Sequence, residues 1–227
     1  MSEGSERYAL YYCPPEDSDI GRFGQEWLSP THRRPPDFVD DVELWTRATK
    51  SPAHYGFHGT LKAPFRLADD VSEAEFLTAV ETAAENLAPF NAPPVQVTQL
   101  GPYCAFTFAQ PSKEMAALHR TCVVEFELFR APLNEAETTK RLRASLTSDQ
   151  RALLNKYGYP YVLEQFRFHL TLAGPLEKPD NKKIHNIILY ETAHISPQPL
   201  PVTDLCVFYQ RDKDTSFNLL RRFSLNG

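Results

Sequence analysis

The first half of the chain carries short apolar runs of the kind that form β-strands. Arg7 to Tyr12 is apolar and aromatic and is ended by two prolines, and Phe57 to Phe65 is a second such run. Further on, Val95 to Leu100 and Tyr103 to Phe108 flank a Gly-Pro dipeptide. Runs of this composition, bounded by Pro and Gly, indicate strands, and the last two predict a hairpin.

Two amphipathic helices are predicted around that hairpin. Ser72 is followed at capping-box spacing by Glu75, and the apolar residues behind it recur at helical intervals. These residues are Phe76, Val80, Ala83, Ala84 and Leu87. Pro89 ends this pattern, and Lys113 to Leu128 gives a second amphipathic pattern after the hairpin.

Residues 13–56 separate the first two strands and have a different composition, rich in Pro, Asp and Arg. Gly21 to Leu28 and Asp41 to Thr49 are short helical candidates within this excursion. The segment is predicted either to cover a site or to be an ordinary surface connection, and the sequence does not decide between the two.

The second half of the chain repeats the order of the first. Asn134 to Asn155 is helical in composition, and Phe166 to Leu172 is a predicted strand. Lys182 to Ala193 then predicts a helix, and Val202 to Gln210 with Phe217 to Leu225 predicts a second hairpin.

A short repeated motif marks the two halves as copies. His-Gly-Thr-Leu-Lys-Ala-Pro at 58–64 is echoed by His-Leu-Thr-Leu-Ala-Gly-Pro at 169–175, and each copy precedes a helix and a hairpin. We therefore predict one bilobal α+β domain over residues 1–227, mostly antiparallel, with helices outside and a central cleft. The lobes are predicted to divide at about residue 128, into 1–128 and 129–227.

The two motifs carry chemistry suited to phosphate esters. Residues i and i+2 of a strand share a face, so His58 projects beside Thr60, and His169 beside Thr171. Two imidazoles across a phosphate can serve as general base and general acid, and the hydroxyls can bind nonbridging oxygens. These four residues are the predicted catalytic set, and neither proton transfer requires a metal.

Four further residues are candidates for binding the substrate. Lys62 follows Thr60 by two and Arg167 precedes His169 by two, so alternation predicts both cations on the motif face. Either of them could equally lie at a strand end in solvent. Tyr8 and Tyr11 of the first strand are candidates for stacking on the substrate or closing the cleft, with core packing as the alternative for each.

Composition narrows the class of ligand and the compartment. A net charge of -5 argues against nonspecific binding of nucleic acid or anionic membranes. The sequence has no apolar run long enough for a membrane span, and its four cysteines are scattered with no metal spacing. We expect a cytoplasmic monomer without metal or cofactor, acting on a small phosphorylated substrate, with RNA as a less favoured partner.

At these residues the chain resembles the two-histidine (2H) phosphoesterase superfamily. The stretches at 7–12, 55–65 and 157–162, the last running into Phe-Arg-Phe-His-Leu-Thr-Leu, resemble an uncharacterised bacterial family (DUF1045-like) often encoded with phosphonate-degradation genes. The resemblance implies a duplicated LigT-like fold, acid/base histidines and no metal. It also implies a cyclic sugar phosphate as substrate, such as a phosphoribosyl 1,2-cyclic phosphate. In this family Thr is the more frequent residue at the position of Ala173, and the departure leaves both His-x-Thr pairs intact.

The favoured function is therefore a phosphoesterase that hydrolyses a cyclic phosphodiester of a small sugar phosphate or nucleotide. Two other functions stay open from the sequence. One is an RNA 2′,3′-cyclic-end phosphodiesterase or ligase-like enzyme, for which Arg33, Arg34 and Arg141 would form a basic groove. The other is a noncatalytic module that binds a phosphate ligand without turnover, which the matched pair of histidines disfavours. The substrate, the bond cleaved and the assignment of base and acid are not fixed by the motifs.

Overall fold

The computed structural model describes residues 6–29, 42–195 and 197–227. The strands are β1 Arg7–Tyr12, β2 Gly59–Phe65, β3 Phe90–Ala92, β4 Val95–Leu100, β5 Tyr103–Phe108, β6 Leu170–Ala173, β7 Leu200–Val202, β8 Asp204–Gln210 and β9 Asn218–Ser224. The helices are α1 Asp19–Leu28, α2 Val42–Tyr55, α3 Glu73–Glu85, α4 Lys113–Glu125, α5 Glu135–Leu142, α6 Ser148–Tyr157 and α7 Asp180–Glu191. Short 3-10 turns occupy Phe126–Phe129 and Leu163–Gln165.

A seven-stranded antiparallel sheet organises the described chain, in the order β4-β5-β6-β2-β1-β8-β9. The two strands that carry the repeated motifs, β2 and β6, are neighbours at its centre. A separate pair, β3 with β7, joins the two halves a second time. The predicted α+β class with antiparallel pairing is therefore confirmed, and the motifs are brought together by the sheet itself.

The two halves exchange their hairpins, which corrects the predicted lobe boundary. The β4–β5 hairpin of the first half pairs with β6 of the second, and the β8–β9 hairpin of the second half pairs with β1 of the first. Helix α3 packs on β8 and β9, while α7 packs on β4 and β5. Each side of the sheet thus contains strands from both halves, so a division at residue 128 does not describe the packing.

Local sequence signals explain several of the helix ends. The Ser72 side chain accepts a hydrogen bond from the N–H of Glu75, and the Glu75 carboxylate accepts from the N–H of Ser72, which is the predicted capping box. Thr147 and Gln150 form the same arrangement at the start of α6. The predicted helix over 134–155 is in fact two helices, because this second N-cap starts a new one.

Helix α2 runs beyond its predicted end at Thr49 and contains Pro52. Proline has no N–H to donate to the carbonyl four residues earlier. That carbonyl, on Ala48, accepts instead from the N–H of Gly174, at 2.8 Å. The proline therefore frees a bond that ties α2 to the end of β6.

The sheet separates a large core from a smaller cluster on the motif side. Alternation along β1 puts Leu10 and Tyr12 in the large core, together with Leu61 and Leu170. The smaller cluster contains Ala9, Tyr11, Cys13, Cys206, Phe208 and Phe217, with Tyr55 packed against it. The polar motif residues therefore stand beside a second apolar layer, which anchors the face that they occupy.

Candidate active site

The four motif residues are brought together by one pair of facing residues. Gly59 of β2 lies directly opposite Leu170 of β6 in the antiparallel register. His58 and His169 immediately precede their strands, and extending the register by one residue on each side sets His58 opposite Thr171 and Thr60 opposite His169. Facing residues of an antiparallel pair project from the same side of a sheet. The result is a pseudo-twofold arrangement in which the histidine of each motif faces the threonine of the other.

Glycine in the first motif permits this close approach of the strands. A Cβ atom on Gly59 would lie 2.6 Å from the ring carbon Cε2 of Phe168 and 3.3 Å from Cδ2 of Leu170. Both groups belong to the large core and are tightly packed there. The first motif is therefore His-Gly-Thr where the second is His-Leu-Thr.

Both imidazoles are held in the same way by the backbone two residues earlier. Nδ1 of His58 is 2.9 Å from the carbonyl oxygen of Gly56, and Nδ1 of His169 is 2.7 Å from that of Arg167. A carbonyl can only accept, so Nδ1 carries a hydrogen in both protonation states of each ring. Proton exchange is thereby assigned to the two Nε2 atoms. Nε2 of His58 is 3.2 Å from Oγ1 of Thr60, on the motif face.

The position of His58 is further fixed by stacking. The Tyr11 ring stacks on the His58 imidazole with 3.7 Å between ring centroids and 19° between their planes. Tyr11 is also the register partner of Thr60 on the neighbouring strand, so it projects from the same face. The tyrosine is 1% exposed. It therefore serves as the floor beneath His58, and its burial favours a positioning role over stacking on a substrate.

Burial also sets the protonation state of His58. Its pKa is lowered to about 4, mainly by desolvation and also by the charge of nearby His169, while the hydrogen bond from Nδ1 to the backbone acts in the opposite direction. At neutral pH, His58 is therefore neutral, and the electron pair on Nε2 accepts a hydrogen bond from the Thr60 hydroxyl until a substrate replaces it. This is the state required of a general base.

Lys62 does not reach the motif face, which corrects one of the predicted substrate contacts. The strand pair β1–β2 contains a bulge at this point: Tyr11 faces Thr60, but Leu10 faces Lys62. The extra residue reverses the alternation beyond Thr60. The Lys62 ammonium is buried against α4, where it donates to the carbonyl of Val123 and to the carboxylate of Glu127, at 3.1 and 3.0 Å.

Tyr8 also lies away from the motif face and is corrected in the same way. Its ring packs on Phe76 of α3 in the large core, and its hydroxyl donates to the Glu73 carboxylate at 2.8 Å. It is two residues from Leu10 on β1, so alternation puts both on the helix side of the sheet. Of the two tyrosines predicted at the site, only Tyr11 is there.

Arg167, unlike Lys62 and Tyr8, lies beside the second motif. Its carbonyl binds His169, and its side chain is exposed beside the second motif. It makes no ion pair with any residue in the described ranges, so its guanidinium is available to an anion. Of the arginines considered for a basic groove, Arg33 and Arg34 lie outside the described residues, and Arg141 sits over the Tyr159 ring, 4.7 Å from its centroid.

Two further tyrosines approach the site and were not predicted from the sequence. Burial raises the pKa of Tyr11, and the neighbouring hydroxyls of Tyr55 and Tyr159 raise it further. The Tyr55 ring lies 6.4 Å from the His58 ring. Tyr55 is three residues before His58, and Tyr159 belongs to the tyrosine-rich stretch 157–162 that precedes the second motif. The presence of tyrosines shortly before each motif was the sequence signal that could have predicted their approach to the site.

A buried histidine outside the motifs fixes the chain that leads into the second one. His119 of α4 is 3% exposed, and its Nε2 accepts from the N–H of Leu163 at 3.0 Å. Its ring stacks on Phe166, with 3.8 Å between centroids, three residues before His169. Burial lowers its pKa to about 4. His119 is thus a structural support for the second motif.

Two features are absent from the part of the chain that the structure describes. No group of three or more His, Cys, Asp or Glu side chains there is arranged to hold a metal ion. Within the same ranges, every helix falls short of the length and apolar character that crossing a bilayer demands.

Comparison with known proteins finds relatives in sequence and in structure. A ribose 1,5-bisphosphate phosphokinase PhnN from Janthinobacterium sp. (strain Marseille) is 34% identical over an alignment of 237 residues, gaps included, which covers the whole chain and 52% of that protein. The protein of the same name from Laribacter hongkongensis (strain HLHK9) is 30% identical over 95% of the chain and 51% of its own length. The chain thus spans about half the length of these curated relatives.

Among solved structures, E. coli LigT complexed with 3′-AMP is similar at a TM-score of 0.46 and 14% identity, covering 98% of this chain and 99% of that one. E. coli LigT complexed with ATP gives 0.44 and 15%, with both chains fully covered. The family described as "Protein of unknown function (DUF1045)" matches residues 60–218, from the threonine of the first motif to the last strand. The chain belongs to this DUF1045 family.

Proposed function

We propose that this chain is a metal-independent phosphoesterase that hydrolyses a cyclic phosphodiester of a small sugar phosphate. The observation that carries the proposal is the matched pair of imidazoles on adjacent strands. Each has Nδ1 committed to a backbone carbonyl, which leaves Nε2 to exchange protons on the motif face. A module that only binds phosphate has no need for two such groups.

In the proposed reaction, Nε2 of neutral His58 removes a proton from water as the water oxygen attacks phosphorus. The phosphorus–oxygen bond within the ring breaks, and the departing ring oxygen takes a proton from Nε2 of protonated His169. One water is consumed and a phosphomonoester is formed. A return of the proton from His58 to His169 through solvent restores both rings. The lowered pKa of His58 supports its assignment as the base.

The threonines and Arg167 complete the proposed site. Thr60 faces His169 and Thr171 faces His58, so the two hydroxyls flank the same phosphate from opposite sides and can donate to its nonbridging oxygens. Charge on those oxygens must be held while the ring opens. The exposed Arg167 guanidinium adds a cation at the edge of the site.

The relatives' name supports a ribose phosphate as the substrate. A kinase that acts on ribose 1,5-bisphosphate needs a reaction that supplies that compound. Opening the 1,2-cyclic phosphate of ribose 5-phosphate at the bond to O2 leaves a phosphate on O1 and yields ribose 1,5-bisphosphate. We therefore propose 5-phosphoribosyl 1,2-cyclic phosphate as the substrate.

We also propose the cytoplasm as the compartment. The four buried cysteines, present as free thiols, accord with a reducing compartment.

Phosphorus NMR with a panel of cyclic phosphates tests this proposal. The purified chain would be incubated with EDTA and with 5-phosphoribosyl 1,2-cyclic phosphate, a nucleoside 2′,3′-cyclic phosphate or a short RNA ending in a cyclic phosphate. We expect conversion of the first compound to a phosphomonoester in the presence of the chelator. Conversion of the RNA alone would favour the RNA-end activity, and binding without conversion of any compound would favour a noncatalytic module.

A further inference from the structure

A groove of about 740 Å³ opens between α2 and the segment that follows β6. Its α2 wall includes Lys50, His54 and Tyr55, and its other wall runs from Pro175 to Asp180. None of the four motif residues lines this groove. It is therefore a separate concavity, and its relation to the motifs decides what it can bind.

Both walls of the groove lead directly into the motifs. Tyr55 is three residues before His58, and Pro175 is four residues after Thr171. Three or four residues of fully extended chain span roughly 10–15 Å, so the nearer end of each wall lies within that distance of a motif residue. The Ala48 carbonyl and the Gly174 N–H join the walls at 2.8 Å. The Tyr55 ring, which lines the groove, is 6.4 Å from the His58 ring. The groove thus adjoins the site on its α2 side.

The charges in the groove suit an anion. Lys50 and Lys178 are exposed, stand on opposite walls and make no ion pair with the described residues. Arg47 is already paired with Asp180 at 2.8 Å, which removes most of the effect of that carboxylate. Glu177 is the remaining acid, so the two lysines leave the groove with a positive balance. An ammonium group binds phosphate as a point charge.

We propose that this groove binds a second, non-reacting phosphate of the substrate, with Lys50 and Lys178 holding it from the two walls. The inference rests on the proposed function, because it assumes that the reacting phosphate lies between the motifs. It adds that the enzyme selects substrates carrying two phosphate groups. The 5-phosphate of a ribose 1,2-cyclic phosphate is such a group, and an unphosphorylated cyclic phosphate lacks it.

The test compares two substrates that differ only in the distal phosphate: 5-phosphoribosyl 1,2-cyclic phosphate and ribose 1,2-cyclic phosphate. We expect kcat/KM to favour the first at least about 10-fold in the wild-type protein. Lys50→Gln and Lys178→Gln should each reduce this ratio about 10-fold, chiefly through KM. Lys113→Gln removes the same charge from an exposed residue of α4 outside the groove and should leave the ratio unchanged.

The possible outcomes distinguish a failure of phosphate binding in the groove from a failure of the proposed reaction. Equal kcat/KM for both substrates, or an unchanged ratio of the two kcat/KM values in Lys50→Gln and Lys178→Gln, would show that the groove does not bind the second phosphate. The proposed phosphoesterase activity would be unaffected by either result. If neither substrate is turned over, the proposed function fails, and calorimetric titration of ribose 5-phosphate decides the groove by itself. Weaker binding in Lys50→Gln and Lys178→Gln, but not in Lys113→Gln, would support it; equal binding in all four proteins would overturn it.

Discussion

Gly59 and Leu170 face each other and form the only register pair that joins β2 to β6 among the described residues. This contact sets each histidine opposite the threonine of the other motif. It also leaves no room for a side chain at Gly59, because Phe168 fills the space. The spacing of the two motifs is therefore controlled by a residue that performs no chemistry.

Gly59→Ala should separate the two motif strands. The added methyl group would overlap the Phe168 ring, and overpacking of this kind costs about 1–3 kcal/mol. We expect a matching loss in the free energy of unfolding by urea titration, and a fall in kcat larger than any change in KM. A variant with wild-type stability and kcat would show that the strand spacing is not critical.

Tyr11 should act through the position of His58. Tyr11→Phe keeps the ring that stacks at 3.7 Å and should retain kcat within about 3-fold. Tyr11→Leu removes the flat surface and should lower kcat at least about 10-fold with little change in KM, because a displaced base loses catalysis more than binding. Steady-state kinetics of the pair would measure this. An equal effect of both substitutions would assign the role to the hydroxyl.

Lys62 and Arg167 should respond in opposite ways to the loss of their charge. Lys62→Met removes the buried partner of Glu127 and should reduce the free energy of unfolding by about 2–4 kcal/mol, while KM stays near the wild-type value. Arg167→Gln should raise KM about 10-fold with wild-type stability. Urea titration and kinetics on both variants check this. A large rise in KM for Lys62→Met would contradict its assignment to the helix side.

Stability should fall on acidification because the half-buried His58 and the buried His119 are both neutral in the folded chain. His58 and His119 each have a pKa of about 4 in the folded chain, below the value of about 6.5 in an unfolded one. The unfolded state therefore takes up protons first, and stability is lost as pH falls from about 6.5 to about 4. For the nearly inaccessible His119 the loss is on the order of 2–3 kcal/mol. His119→Gln should reduce the difference in unfolding free energy between pH 7 and pH 4.5; an unchanged difference would contradict the buried neutral state.

The sequence predicted the seven strands of the main sheet, their hairpins and the capped helix α3, because their signals are local. The short strands β3 and β7 were not predicted, and β6 begins at Leu170, four residues later than predicted. Pairing of the His-x-Thr strands was also predictable, since a duplicated unit tends to place equivalent strands together. The hairpin exchange was not, because nothing in a repeat tells which copy a hairpin joins. Lys62 was misplaced because a bulge reverses alternation and leaves no mark in the residue pattern. Tyr55 and Tyr159 were missed because their approach depends on how α2 and the 157–162 segment fold over the sheet.

The most direct test of the paired-histidine mechanism follows 5-phosphoribosyl 1,2-cyclic phosphate by phosphorus NMR with EDTA present, using the wild-type chain, His58→Gln and His169→Gln. We expect conversion to ribose 1,5-bisphosphate by the wild type and a loss of at least about 100-fold in kcat for each variant, with unfolding free energies measured in parallel to show that both remain folded. Near wild-type turnover by either folded variant would show that the reaction does not depend on the paired histidines.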